Sequence, residues 1–136
     1  MSAAGESPLI VGIGPGDAHA IPAAALSAVR DHGGPVVLLG VAAPVGERIA
    51  PGATPLDEGA PVSAAALVLA PDPAAHRLAA AHPGARTLPD RTALRARAIG
   101  AQVAALATVG AELRRECPWD RRQTPESIVP HTVEEA

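Results

Sequence analysis

The stretch that decides the fold is residues 8–40, PLIVGIGPGDAHAIPAAALSAVRDHGGPVVLLG. It opens with a short apolar run rich in β-branched residues, PLIVGIG (8–14), which glycines bring to an end; this pattern reads as a buried strand. The Ala-rich middle reads as a helix, with Asp17 near its start and Gly33-Gly34 as its stop. PVVLLG (35–40) is a second apolar run and a second strand. Strand, helix and strand in this order make a βαβ unit, and hence a parallel sheet with a right-handed crossover. The expected class is α/β, with a small parallel sheet built of βαβ units.

The segments further along carry weaker patterns. Residues 1–7 are small and polar and are expected to be disordered. Residues 41–63 are rich in Pro and Gly and show little periodicity. AALVLA (65–70) is a third strand, DPAAHRLAAAHPG (72–84) a short helix closed by Pro83-Gly84, and ARTLPD (85–90) an edge strand. Thr92 is the expected cap of a long helix running to about Arg115, with Leu94, Ile99, Val103, Leu106 and Leu113 on one stripe. CPWD (117–120) interrupts that helix. Thr124-Pro125 then opens another, Thr as cap and Pro at the first helical position. Pro130 lies too deep for an unbroken helix, so a kink or a fresh start is expected there. The expected division is an α/β segment over residues 1–90 and a helical segment over 91–136.

Composition narrows the function classes. The net charge of −3 argues against non-specific nucleic-acid binding, which needs a basic face. All eleven basic residues are Arg. Trp119 is the one aromatic of the Phe, Tyr and Trp set, so the core must be built from Ala, Val, Leu and Ile. Alanine buries little area, and each buried methylene contributes only ~0.8 kcal/mol, so a shallow core of low stability is expected. The lone Cys117 cannot form an intrachain disulfide and fits a reducing compartment. No apolar run of about 18 residues exists, so no membrane partner is expected and the cytoplasm is the expected location.

Two motifs carry chemistry. The first is VGIGPGDAH (11–19). Glycines 12, 14 and 16 allow a tight turn and a close approach of backbone to ligand, and a following helix N-terminus would favour an anion. The spacing is not the dinucleotide fingerprint, and a plain strand-to-helix turn would also explain it. PLIVGIGPGDAHAIPAAALSAVR (8–30) resembles the opening of the tetrapyrrole methylases, which bind S-adenosylmethionine. That resemblance makes Gly12, Gly14, Gly16 and Asp17 the candidate cofactor-binding positions. The family's later Gly-Asp-Pro loop is represented only by APDP (70–73), without the glycine, and its second α/β domain has no counterpart here. The segment is therefore expected to be a reduced, inactive relative that does not bind S-adenosylmethionine.

The second motif is LRRECPWDRRQTPESIVPHTVEEA (113–136), which resembles the start of the MazG family of nucleoside triphosphate pyrophosphohydrolases. The match runs through Cys117, Pro118, Trp119, Asp120, Gln123, Thr124 and Ser127 to Glu134-Glu135. Pro125 and His131 depart from the usual His and Tyr. A methylase-like segment ahead of a MazG segment is a known arrangement, so the two resemblances support each other.

The resemblance implies an all-α domain, a nucleoside triphosphate substrate, oligomeric assembly and a magnesium site written Glu-Glu-x-x-Glu, then Glu-x-x-Asp on the next helix. Residues three or four apart share a helix face, and clustered carboxylates need a cation between them. Such ions can clamp a triphosphate and position an attacking water, releasing nucleoside monophosphate and pyrophosphate. Glu134 and Glu135 are the implied metal ligands. Adjacent helical residues point ~100° apart, so this pair alone makes no symmetric clamp. The third glutamate would fall two positions past Ala136, and the chain as given is expected to be inactive.

Trp119, Asp120, Arg122 and Gln123 are the candidate substrate-binding residues. Trp119 would stack on a base or pack against a helix, Asp120 would bind or cap the next turn, and Arg115, Arg121 and Arg122 would approach phosphates or form a solvated cluster. The competing functions are a methyltransferase and a non-catalytic assembly module.

Overall fold

The computed structural model describes residues 7–134, so the expectation of disorder over residues 1–7 lies, for all but Ser7, outside the described residues. The chain is mixed α/β and forms two compact units, residues 1–101 and 102–136.

The first unit is a parallel five-stranded sheet. Its strands are β1 (Leu9–Gly12), β2 (Val36–Leu39), β3 (Thr54–Leu56), β4 (Leu67–Ala70) and β5 (Arg86–Leu88), in the spatial order β3-β2-β4-β1-β5. β4 lies in the middle of the sheet and is buried at every position, as expected for a parallel strand covered on both faces. β5 is an edge strand, as its short pattern indicated.

Side chains alternate between the two faces. Val11, Ile13, Leu38, Leu67 and Leu69 face α1 (Ala23–Asp31) and α2 (Ala43–Ile49). Ile10 and Ala70 face Ala75 and Ala79 of α3 (Asp72–Ala81) and Leu94 of α4 (Arg91–Glu116). The direction of each crossover explains this split. α1 and α2 carry the chain from β1 towards the β3 edge, whereas α3 carries it from β4 over β1 to β5. Crossovers of one hand running in opposite directions must cover opposite faces.

Three local expectations need correction. Asp17 does not start α1. It sits in a turn six residues before Ala23, where its Oδ1 accepts from His19 N at 2.9 Å, and Pro22 is the residue that precedes the helix. Asp90, not Thr92, caps α4, its Oδ1 accepting from the backbone N–H of Thr92 and of Ala93, both at 3.0 Å. Residues 41–63 are not patternless, since they contain α2 and β3. α2 is short and carries Gly46, at which a Cβ would run into Leu38 of β2. The glycine that weakens the helical pattern is what lets α2 lie close on the sheet.

The second unit contains the C-terminal part of α4, a 3₁₀ turn at Asp120–Arg122, and α5 (Pro125–Glu134). CPWD does end α4. Thr124 caps α5 as expected, with Ser127 N donating to Thr124 Oγ1 at 3.2 Å and Thr124 N donating to Ser127 Oγ at 2.9 Å. This is a reciprocal capping box with Ser in the usual place of Glu or Gln. α5 runs through Pro130 as one helix, so of the two expected outcomes, a kink or a fresh start, the fresh start does not occur.

Candidate functional site

The connections leaving the carboxyl ends of β1 and β4 head in opposite directions, the arrangement that opens a ligand crevice in doubly wound sheets. The Gly12–Gly16 loop follows β1 at this point, and Pro71-Asp72 follows β4. The two loops are stitched together. Ile13 N donates to Ala70 O at 3.0 Å, Asp72 N donates to Gly14 O at 2.8 Å, and Gly14 N donates to Asp72 Oδ1 at 3.0 Å.

Asp72 is the one charged residue buried among those described, with 3% of its surface exposed. Its charge is met by Arg97 of α4, which donates from Nε to Oδ2 at 2.8 Å and from Nη2 to Oδ1 at 3.1 Å. A two-point guanidinium contact satisfies a buried carboxylate in both geometry and charge.

Each glycine of the loop has a reason within the chain. A Cβ on Gly12 would collide with the Asp72 carboxylate and come within 2.8 Å of Leu94 Cδ1. Gly14 and Gly16 have φ of +77° and +86°, conformations that favour glycine. Asp17 is exposed and points its hydrogen bonding into its own turn. The helix N-terminus expected beside the loop lies beyond Pro22. Asp72 and Arg97 were not singled out in the sequence, although Asp72 belongs to the APDP stretch; an Asp at the end of an apolar strand was the available signal.

In the second unit the four candidate substrate-binding residues lie in one turn. Trp119 is half-exposed, and its ring centroid lies 6.2 Å from that of His131, tilted at 56°. Asp120 opens the 3₁₀ turn, which no side chain caps. Arg122 is exposed. Gln123 is committed to structure, its Oε1 accepting from Ser127 Oγ at 2.6 Å and its Nε2 donating to Trp119 O at 3.3 Å. Arg114 organises the turn from α4, with Nη1 donating to Asp120 O at 2.6 Å and to Gln123 O at 2.9 Å. Its place in the motif is thus explained by the turn it braces.

Glu134 is exposed at the end of α5, and Glu135 lies outside the described residues. Among the described residues no group of three or more His, Cys, Asp or Glu side chains is placed to hold a metal ion. One carboxylate does not by itself make a magnesium site. Also among these residues, no helix is long and apolar enough to cross a membrane. No model of a known protein family matches this chain, and no curated protein matches it.

Proposed function

We propose that this chain is the N-terminal part of a magnesium-dependent nucleoside triphosphate pyrophosphohydrolase of the MazG type, acting in the cytoplasm. On this reading residues 1–90 are a reduced, methylase-like α/β segment. Residues 91–136 are a connecting helix and the start of an all-α catalytic domain. The substrate is a nucleoside triphosphate, and the products are its monophosphate and pyrophosphate.

The observation that supports this best is where apolar surface meets water. Of the ten large hydrophobic residues that are exposed among the described residues, nine lie between Ile99 and Val133, on α4, the following turn and α5. Ile99, Val103, Leu106 and Leu113 stay open along α4, while Ile128, Val129 and Val133 stay open on α5. Helices with uncovered apolar stripes need further helices to pack against. An all-α domain assembled from several helices, in a homo-oligomer, supplies them. The exposed Arg121 and Arg122 suit an anionic substrate. No step of hydrolysis is assigned to the described residues, because they hold only one carboxylate of the proposed cage.

The same uncovered stripes also favour a second reading, a non-catalytic assembly module. Reading the codons that follow Ala136 separates the two. The hydrolase reading expects Glu two residues on and a later helix bearing Glu-x-x-Asp. A continuation without such acids leaves the assembly module.

A further inference from the structure

The resemblance of residues 8–30 to the tetrapyrrole methylases would make the Gly12–Gly16 loop a cradle for S-adenosylmethionine. The groups around the loop do not fit that cofactor. We infer that the loop is a socket for the chain's own Asp72–Arg97 pair, and that Arg97 is the positioning residue that fastens the first turns of α4 to the carboxyl ends of β1 and β4.

The space that Gly12 leaves open is filled by the Asp72 carboxylate and Leu94. Gly14 N–H, the donor that a ligand in the loop would use, already donates to Asp72 Oδ1 at 3.0 Å. Gly16 lies against Pro71, whose Cγ would be 3.2 Å from an added Cβ. Asp72 in turn is held at both oxygens by Arg97, so its carboxylate is committed within the chain. α1, whose N-terminus would attract an anion, begins only at Ala23. The space beside Gly12 and the Gly14 N–H are therefore taken up by residues of α3 and α4.

Fastening gives the loop a purpose without a ligand. Arg97 lies two turns into α4, and Leu94 lies one turn before it on the same face. Leu94 is fully buried and Asp72 nearly so, while Arg97 keeps about a third of its side chain open to water.

The test uses the full chain and two readouts. In the first, a calorimetric titration with S-adenosylmethionine is expected to give no saturable heat; micromolar binding would overturn the inference. In the second, Gly12→Ala and Asp72→Ala are made singly and together and unfolded in urea. The socket predicts strong non-additivity, with Gly12→Ala costing much less once the Asp72 carboxylate is gone. Additive effects would overturn it.

If either variant fails to fold, amide exchange in Arg97→Gln decides. Exchange at Gly14 should quicken at least about tenfold while the β2 amides keep their protection. Unchanged exchange at Gly14, or a uniform rise everywhere, contradicts a positioning role. None of these readouts involves nucleotide hydrolysis, so their failure leaves the hydrolase reading standing.

Discussion

Arg97 and Asp72, 25 residues apart in sequence, meet in a two-point ion pair with bonds of 2.8 and 3.1 Å at the carboxyl end of the sheet. The Asp72 side chain is 5% exposed and that of Arg97 is 34% exposed, so solvent screens the pair from one side only. Removing the arginine strands a buried carboxylate. Arg97→Gln should destabilise the protein by about 1–3 kcal/mol, below the ~3–5 kcal/mol of a fully buried pair. Arg97→Lys should recover only part of this, because one ammonium cannot reproduce the fork. Urea midpoints of the two variants check both statements.

Arg91 performs a different structural task. Its guanidinium donates to the carbonyls of Ala79, His82, Pro83 and Ala85 at 2.7 to 2.9 Å, and so ties the end of α3 to the loop that leads into β5. Arg91→Lys keeps the charge but loses the planar spread of donors. It should cost about 1 kcal/mol, and Arg91→Ala should cost more. Thermal unfolding of both variants measures this order, and equal stability of Lys and Arg at this position would contradict it.

Much of the α/β unit was legible in residues 8–40 and 65–90, because buried parallel strands are short apolar runs with sharp ends. α2 and β3 were not legible. Gly46 and the prolines at 44, 51 and 55 look like loop residues, and the reason for the glycine, the packing of Leu38 against it, is a contact no local pattern shows. The α5 cap was legible, since Thr followed by Pro has a local cause. The candidate site was half legible. The glycines drew attention to the right loop, but their partner is a carboxylate brought in from β4 and α3, a contact 58 residues away that no local pattern shows.

α5 should respond to pH through Glu126. Its own backbone N–H and the Thr124 hydroxyl hold its carboxyl below the ordinary value of 4.5. A depressed folded value means that the ionised form favours the fold. The contribution is complete above pH 4.5 and fades as pH falls through the lower folded value. Helicity followed by circular dichroism should show this loss, and Glu126→Gln should remove it. Thr124→Ala, which deletes half of the capping box, should destabilise α5 by about 0.5–2 kcal/mol.

The uncovered stripe of α4 predicts self-association. Ile99, Leu106 and Leu113 recur every seven residues, with Val103 between the first two, as in a helix–helix seam. Sedimentation should find an oligomer in the unmodified chain. Leu106→Gln combined with Leu113→Gln should shift it to monomer while leaving the sheet folded, since neither residue is buried in the described chain. A monomeric unmodified chain would remove the case for assembly through this face.

The proposed hydrolase is tested most directly by pyrophosphate release. A gene product found to continue past Ala136 is incubated with magnesium and nucleoside triphosphates, with and without Glu134→Gln and Glu135→Gln. The account predicts monophosphate and pyrophosphate in equal amounts, with each substitution abolishing most of the rate. No pyrophosphate, or a rate indifferent to both glutamates, would contradict it.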